Sequence, residues 1–284
     1  MNNTSSARLV FFCGYYLRKI FSLNKEEDLF RKRFYRVTKN TALSIPDENE
    51  RELTVKLTGG DLQGLQCAVR KKNSSDIQVF GQVFVEKEYG ALVKKITDQG
   101  KRSGIKLVID AGANVGYTSL FLHHYFPDAF FVVIEPDEKN FEQVTKNFLM
   151  NKLTHTKMHL AGLWSADRYL KINRDAFEGK EWGYYVTETD HPGSLKGISL
   201  STLLAQTEFS VIDILKIDIE GGEKEIFRKE EIISPVLQKT RFIAIEIHDH
   251  LADRLHIISL LEKNNFSWFD HEELTIASNR SFTD

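Results

Sequence analysis

The sequence predicts a doubly wound α/β fold with a mostly parallel, Rossmann-like sheet, and three observations support this prediction. Residues 106–111 form an apolar run that leads into glycines and then into a helical pattern. A second apolar run covers residues 130–135. Two more runs, residues 212–219 and 242–248, carry acids or histidine near their ends. Unbroken apolar runs are typical of strands buried on both faces, as in parallel sheets.

A glycine-rich turn follows the first of these strands. Its spacing, Asp-x-Gly-x-x-x-Gly, departs from the dinucleotide fingerprint G-x-G-x-x-G, because an acid replaces the first glycine and the last interval is one residue longer. Glycines let the backbone approach a ligand closely, whereas a carboxylate repels a pyrophosphate. A cationic ligand such as S-adenosylmethionine fits this turn better. The predicted cofactor-binding residues here are Asp110, Gly112, Asn114 and Gly116.

An acid also ends the second strand, since Glu135 lies nineteen residues after Gly116. A carboxylate in this position accepts hydrogen bonds from the hydroxyls of a ribose, which indicates an adenosine ligand. The alternative is that both strand-end acids only cap the following helices. A third strand is predicted over residues 157–163, and it would place Gly162 and Leu163 beside the adenine ring.

Further polar side chains follow the later strands. Asp218 and Glu220 come at the end of one apolar run, and Glu246 and His248 come at the end of the next. Ligands of open α/β sheets bind outside the carboxyl ends of the strands, so these four side chains are predicted to meet at one site. Each of them is a candidate catalytic residue, with a structural role as the alternative.

Several of these motifs together carry a family resemblance. They are residues 109–116, Ile134-Glu135-Pro136, Trp182-Gly183, the run Leu-Lys-Ile-Asp-Ile-Glu-Gly-Gly-Glu at 215–223, and Ile-Glu-Ile-His at 245–248. The chain resembles the FkbM-type methyltransferases over roughly residues 76–278. One departure is Ser201, which stands where the family usually has an acid.

The resemblance implies a class I fold of seven strands, with the last one antiparallel, and S-adenosylmethionine as the cofactor. It also implies transfer of a methyl group to a hydroxyl of a sugar, a glycan or another small hydroxylated metabolite. The expected reaction is an in-line displacement at the methyl group, with a side chain at the sheet edge taking the proton of the hydroxyl. His248 has the ordinary pKa nearest neutrality among the candidates.

Two other functions stay open at this point. One is a protein of the same fold that binds S-adenosylmethionine without catalysis, for which the missing acid at Ser201 is the indication. The other is an NAD-binding oxidoreductase, which Asp110 and the long glycine interval disfavour. The spacing of the acids and histidine matches no dedicated metal motif, so no metal site is predicted. The sequence has no basic patch with interleaved aromatic residues, and nucleic acid is therefore not an expected partner.

The domain organisation is predicted from changes in pattern along the 284 residues. Residues 1–75 form an extension with an amphipathic helix and a β-hairpin, and residues 76–284 form the methyltransferase domain. An inserted lid or hairpin is expected at about 167–199, where Trp182, Tyr184 and Tyr185 either line an acceptor pocket or pair on the surface.

Composition and the N-terminus give the remaining expectations. The 38 basic and 40 acidic residues leave a net charge of -2, which provides no overall attraction to nucleic acid or to an acidic membrane. The two cysteines form no metal pattern and fit a cytoplasmic location. Residues 8–20 are too short to span a bilayer and predict a helix docked on the protein or a partner, with peripheral membrane contact as the alternative. The sequence does not determine the oligomeric state.

Overall fold

A computed structural model describes residues 25–173, 185–191, 194–219, 222–249 and 251–282. The helices are α1 (Lys25–Thr38), α2 (Asp76–Phe80), α3 (Gly90–Asp98), α4 (Tyr117–Tyr125), α5 (Glu138–Asn151), α6 (Leu200–Ala205), α7 (Glu223–Phe227), α8 (Glu230–Leu237) and α9 (Arg254–Lys263). A π-helical segment (Gly81–Glu86) continues α2, and two 3-10 turns lie at Arg102–Gly104 and Arg280–Phe282.

The strands form two sheets. The small sheet contains β1 (Leu43–Glu48), β2 (Glu52–Leu57) and β3 (Gln66–Arg70). The large sheet contains β4 (Leu107–Ala111), β5 (Phe130–Glu135), β6 (Thr156–Leu163), β7 (Arg168–Asn173), β8 (Tyr185–Thr189), β9 (Leu195–Ile198), β10 (Ile212–Ile217), β11 (Thr240–Glu246), β12 (Phe266–His271) and β13 (Leu274–Asn279).

The large sheet has the strand order β12-β13-β11-β10-β4-β5-β6-β9-β7-β8. The strands from β11 to β9 are parallel to one another, whereas β13 lies antiparallel between β11 and β12. This arrangement confirms the expected doubly wound α/β fold with a last antiparallel strand. Three strands, β7, β8 and β9, extend the sheet beyond the seven that were predicted. The carboxyl ends of β4, β5, β10 and β11 meet at one edge.

Helices cover both faces of the large sheet. One hydrophobic cluster joins the sheet to α3, α4 and α5, and the other joins it to α6, α7, α8 and α9. Successive residues of β4 alternate between them, since Val108 belongs to the first cluster and Ile109 to the second. Both faces of β4 are therefore buried, which explains why its sequence is mostly apolar.

The N-terminal part packs directly on the first of these faces. The hydrophobic cluster on this face extends continuously from α1 and the small sheet to α4 and α5. The peptide of Ala68 in β3 is central to this contact: its N–H donates to Asn147 Oδ1 (2.9 Å), and its carbonyl accepts from Tyr117 Oη (2.7 Å) and Gln143 Nε2 (3.0 Å). A second amide side chain of this interface, that of Asn151, accepts a hydrogen bond from the N–H of Gln66 and donates one to its carbonyl.

The sequence of residues 24–52 is charged and weakly periodic, and its residues 46–49 indicate a loop before the hairpin. This part contains α1 and β1. The helix was missed because two of its buried residues, Glu27 and Arg31, are charged, and they pair with each other (2.8 Å). Arg31 also reaches Glu48 on β1 (2.6 Å). The predicted hairpin is present as β2 and β3, which pair antiparallel.

Three expectations fall wholly or partly outside the described residues. These are the helix at residues 8–20, the side chains of Trp182, Tyr184 and Tyr185, and the position of Glu220. Within the predicted insertion, β7 and β8 form an antiparallel hairpin, and β7 also pairs with β9. The helices in the described part of the chain are all too short or too polar to cross a bilayer.

Candidate active site

The glycine turn after β4 is shaped by close contact with β10. Gly112 adopts a φ of +76°, and a Cβ added to it would lie 1.7 Å from the carbonyl oxygen of Asp218. Gly116 also has a positive φ (+80°), and a Cβ there would meet Phe148 and Val144 of α5. Both positions therefore require glycine, and the turn fits tightly between β10 and α5.

Glu135 fixes the other side of this turn. Its carboxylate accepts hydrogen bonds from the backbone N–H groups of Asn114 (2.8 Å) and Asp137 (2.9 Å). Burial raises the pKa of Glu135 to about 7, although these hydrogen bonds favour the ionised form. Oε1 accepts from the N–H of Asp137 and also from Asn140 Nδ2 (3.5 Å), whereas Oε2 keeps a further lone pair that a hydroxyl donor can use.

Asp110 lies behind the turn and is fully buried. Ser119 Oγ donates to its Oδ2 (2.6 Å), and Lys216 Nζ lies 3.3 Å from its Oδ1. The same ammonium donates to the carbonyl of Gly112 (2.6 Å). Asp110 and Lys216 thus hold the backbone of the turn from inside the protein. Direct contact between Asp110 and a cofactor stays a prediction.

Lys216 is charged even though only 2% of it is exposed. Burial by itself lowers the pKa of this lysine, but the carboxylates of Asp110 and Asp218 outweigh the effect and raise it. Lys216 therefore links the glycine turn to the end of β10, where Asp218 Oδ2 lies 3.6 Å from its Nζ.

Three of the predicted catalytic residues come together at the carboxyl edge of the sheet. Asp218 follows β10, and Glu246 and His248 lie at and just after the end of β11. Each of these side chains offers one ligand atom, and the three atoms lie within 4.8 Å of one another. We call these three residues the edge cluster. The convergence expected from the parallel strands is present in the structure.

His248 is oriented by a buried carboxylate that the sequence did not single out. Its Nδ1 lies 2.9 Å from Glu223 Oε1, and its Nε2 lies 3.4 Å from Glu246 Oε1. Glu223 is fully buried at the start of α7. Burial, together with the charge of Asp218, raises the pKa of Glu246 to about 8, whereas His248 lowers it.

Two residues from a distant segment interact electrostatically with the edge cluster. Lys87, which follows the π-helical segment, adopts a left-handed conformation (φ 57°), and the chain then turns into Glu88 and Tyr89. Both side chains are buried. Burial and the charge of Asp218 raise the pKa of Glu88 to about 7. Burial also raises the pKa of Tyr89, on which the charges of Lys216 and Asp218 act as well.

The remaining predicted residues lie farther along the sheet. Gly162 and Leu163 are the last residues of β6 and pair with β9, and a Cβ on Gly162 would meet Leu170 Cδ1 at 2.9 Å. Their contacts in the structure are packing contacts, and their adenine-binding role stays a prediction.

The residue that caps α6 is Ser199, whose Oγ accepts from the N–H of Thr202 (3.2 Å). Ser201 instead bonds the hydroxyl of Ser199 (3.0 Å). A carboxylate is nevertheless present at this helix start, because Asp167 accepts from the N–H of Ser199 (2.9 Å) and from Thr202 Oγ1 (2.9 Å).

Comparison with known proteins establishes the family. The Methyltransferase FkbM domain matches residues 110–268, which include the end of β4, the glycine turn and the edge cluster. The chain belongs to the FkbM methyltransferase family. "Methyltransferase 1" of Beauveria bassiana (strain ARSEF 2860) is 21% identical over 209 residues, which are 65% of this chain and 80% of that protein. The family favours methyl transfer over the nicotinamide-dependent alternative.

The comparison with solved structures gives distant likenesses. The crystal structure of Methyltransferase FkbM from Methylobacillus flagellatus KT has a TM-score of 0.44 at 15% identity, and it covers 61% of this chain and 43% of that one. The chain therefore spans less than half of that protein. The N-terminal domain of human METTL16 in complex with SAH has a TM-score of 0.41 at 14% identity, with 90% and 82% covered. The strand order described above is that of a class I methyltransferase.

Sequence reasoning missed three residues of this site, namely Lys216, Glu223 and Glu88. A lysine within the apolar run of β10 is a usable signal, because a charge in a buried strand needs a partner. Glu223 ends the most specific motif of the family resemblance, but its partner His248 is 25 residues away. Glu88 lies in a segment that resembles the family's entry region, but no site role was predicted for it, since its neighbourhood is created by the packing of distant segments.

Proposed function

We propose that this protein is an S-adenosylmethionine-dependent O-methyltransferase that acts on a hydroxyl of a sugar, a glycan or another small hydroxylated metabolite. The observation that carries the proposal is the position of the edge cluster. It lies directly beside the glycine turn, because the backbone of Asp218 contacts Gly112. A donor held by the turn would thus present its methyl group toward Asp218, Glu246 and His248.

The residues of the turn fit this cofactor. Glu135 offers lone pairs to ribose hydroxyls, and the glycines leave room for a ligand to approach the backbone. Asn114 Oδ1 is buried and has no hydrogen-bond partner among the described residues, so it is ready to accept a hydrogen bond from a ligand. Gly162 and Leu163 remain the residues proposed to contact the adenine ring. When bound, S-adenosylmethionine supplies an electrophilic methyl group on a positively charged sulfur.

Activation of the acceptor belongs to the edge cluster in this proposal. An alcohol is a weak nucleophile at neutral pH, and its attack is helped when its proton is removed or its developing charge is stabilised. The acceptor oxygen forms a bond to the methyl carbon while the electrons of the carbon–sulfur bond return to sulfur, and the hydroxyl proton is released. Asp218, Glu246 and His248 are the candidates for this step, together with Glu220, which lies outside the described residues.

The side chains of the edge cluster indicate which kind of acceptor the site would bind. They are carboxylates and an imidazole, which suit a neutral hydroxyl compound better than a polyanion. Nucleic acid is for this reason not the proposed substrate. A cytoplasmic location stays part of the proposal.

The experiment that tests the proposal is a calorimetric titration with S-adenosylmethionine, S-adenosylhomocysteine and NAD. Binding of both adenosyl ligands is expected, with a clear loss of affinity in Glu135→Gln. The matched control is Glu138→Gln, since Glu138 is exposed in the first turn of α5. An acceptor screen by mass spectrometry then looks for the gain of one methyl group. Binding of NAD in place of the adenosyl ligands, or of no ligand, contradicts the proposal.

A further inference from the structure

We propose that the edge cluster binds a divalent cation and that this cation holds the acceptor oxygen during methyl transfer. The role of the cation rests on the proposed function, whereas its binding can be measured without any turnover. The inference specifies how Asp218, Glu246 and His248 activate the acceptor, and it goes beyond the expectation from motif spacing, which indicated no metal.

The first argument is geometric. Two protein atoms that bind the same cation at about 2.0–2.2 Å lie at most about 4.4 Å apart. The three candidate ligand atoms already lie within 4.8 Å of one another. All three residues are partly exposed, so that small side-chain rotations would bring the atoms to coordination distance. The positions are fixed by the ends of two adjacent parallel strands, which pair in register at Ile217 and Ile245.

The second argument is the orientation of His248. Its Nδ1 lies 2.9 Å from Oε1 of Glu223, a carboxylate that accepts a hydrogen bond from this nitrogen. The other ring nitrogen, Nε2, lies within the edge cluster, 3.4 Å from Glu246 Oε1. Metal-binding histidines commonly donate their other N–H to a carboxylate in this way.

The third argument comes from Glu223 itself. This carboxyl group is fully buried, and its second oxygen, Oε2, has no hydrogen-bond partner among the described residues. Its first oxygen contacts the imidazole of His248. Burial of a carboxylate is costly unless a positive charge lies nearby, and a cation bound to His248 would provide that charge.

The donor set narrows the class of cation. Two carboxylates and one imidazole suit Mn²⁺, Fe²⁺ or Zn²⁺, whereas Mg²⁺ and Ca²⁺ prefer oxygen ligands throughout. Three protein ligands leave coordination positions open for an acceptor oxygen. A hydroxyl bound there loses its proton more readily, because the cation stabilises the resulting alkoxide. The proton passes to water at the exposed edge, and the oxygen then attacks the methyl carbon as described above.

The test is a titration of the full chain, freed of metal, with Mn²⁺, followed by calorimetry and by the electron paramagnetic resonance of free Mn²⁺. One site is expected. Asp218→Asn and His248→Ala should each weaken it by at least about tenfold, and Glu223→Ala should weaken it by about 10–100-fold through the orientation of His248. The matched control is Asp249→Asn, because Asp249 is exposed, lies next to His248 in sequence and pairs with Arg254. Its Mn²⁺ affinity should stay unchanged.

Folding and the proposed function are checked separately in the same samples. Asp218 is partly exposed and its change to asparagine conserves shape, so a normal melting curve is expected for that variant. Folded protein that fails to bind Mn²⁺, or that binds it equally well after Asp218→Asn and His248→Ala, overturns the cation site. If S-adenosylhomocysteine still binds in that case, the methyltransferase proposal survives. The converse result, Mn²⁺ bound without any adenosyl ligand, contradicts the proposed function and supports the site.

Discussion

At the scale of the residue, the pair formed by Asp110 and Lys216 makes a sharp prediction about stability. Lys216→Met removes the ammonium but keeps the bulk, and it leaves the fully buried carboxylate of Asp110 without its counter-charge. Breaking a buried pair in this way costs about 3–5 kcal/mol of unfolding free energy. Urea denaturation measures the loss. The double variant Asp110→Asn, Lys216→Met should recover part of the lost unfolding free energy. A loss below about 1 kcal/mol in the single variant would contradict a stabilising role of the pair.

Glu135 predicts how ligand binding depends on pH. Its pKa is raised to about 7 by burial, and the ionised form is the better acceptor for ribose hydroxyls. Affinity should therefore fall as the pH drops through this value, by about tenfold between about pH 8 and pH 6, since roughly nine-tenths of the carboxylates are ionised at one and one-tenth at the other. Calorimetry with methylthioadenosine isolates the effect, because that ligand lacks the α-amino group of the methionine part, which would itself titrate at alkaline pH. Glu135→Gln should bind more weakly and show no such pH dependence.

At the scale of the element, the glycine turn can be tested with a pair of matched variants. Gly112 and Gly60 have nearly the same φ, +76° and +77°. A Cβ on Gly60 meets no atom within 4 Å, whereas one on Gly112 collides with the carbonyl of Asp218. Gly60→Ala should cost about 1–2 kcal/mol for the left-handed backbone. Gly112→Ala should cost at least about 2 kcal/mol more, because the turn must move away from β10. Equal losses in urea denaturation would contradict the described contact.

The elements also show what the sequence could predict. The strands β4, β5, β10 and β11 were expected from apolar runs, and the meeting of Asp218, Glu246 and His248 was expected because parallel strands end at one edge. Helix α1 was missed, since its apolar face is narrow and buried ion pairs supply much of its contact with the small sheet. Such pairs depend on which distant segments pack together, and a local pattern does not contain that information.

At the scale of the whole molecule, the N-terminal part supports the glycine turn through α5. Asn147 accepts from the N–H of Ala68 in β3 and donates to the carbonyl of Val115 in the turn (2.7 Å). Asn151, one helical turn later, has its hydrogen bonds within the described residues to Gln66 and to its own helix. Asn147→Ala and Asn151→Ala should each destabilise the protein by about 1–3 kcal/mol, because each leaves buried backbone groups unpaired.

The two asparagine variants should differ in ligand binding. Only Asn147 reaches the turn, so Asn147→Ala should weaken S-adenosylhomocysteine binding, while Asn151→Ala should leave it close to normal. Thermal melting and calorimetry on the same preparations separate the two effects. Equal affinities in both variants would mean that the small sheet stabilises the fold without influencing the turn.

The contact between Gly112 and the backbone of Asp218 has a consequence for how acceptor choice changes among related enzymes. Under the proposed function, this main-chain contact sets the distance between a methyl donor held by the glycine turn and the edge cluster, and it involves no side chain of the acceptor pocket. Residues around the acceptor can therefore vary while the distance between the methyl donor and the edge cluster stays constant. A library that varies the acceptor side and keeps Gly112 and Asp218 should yield changed substrate preference far more often than lost alignment.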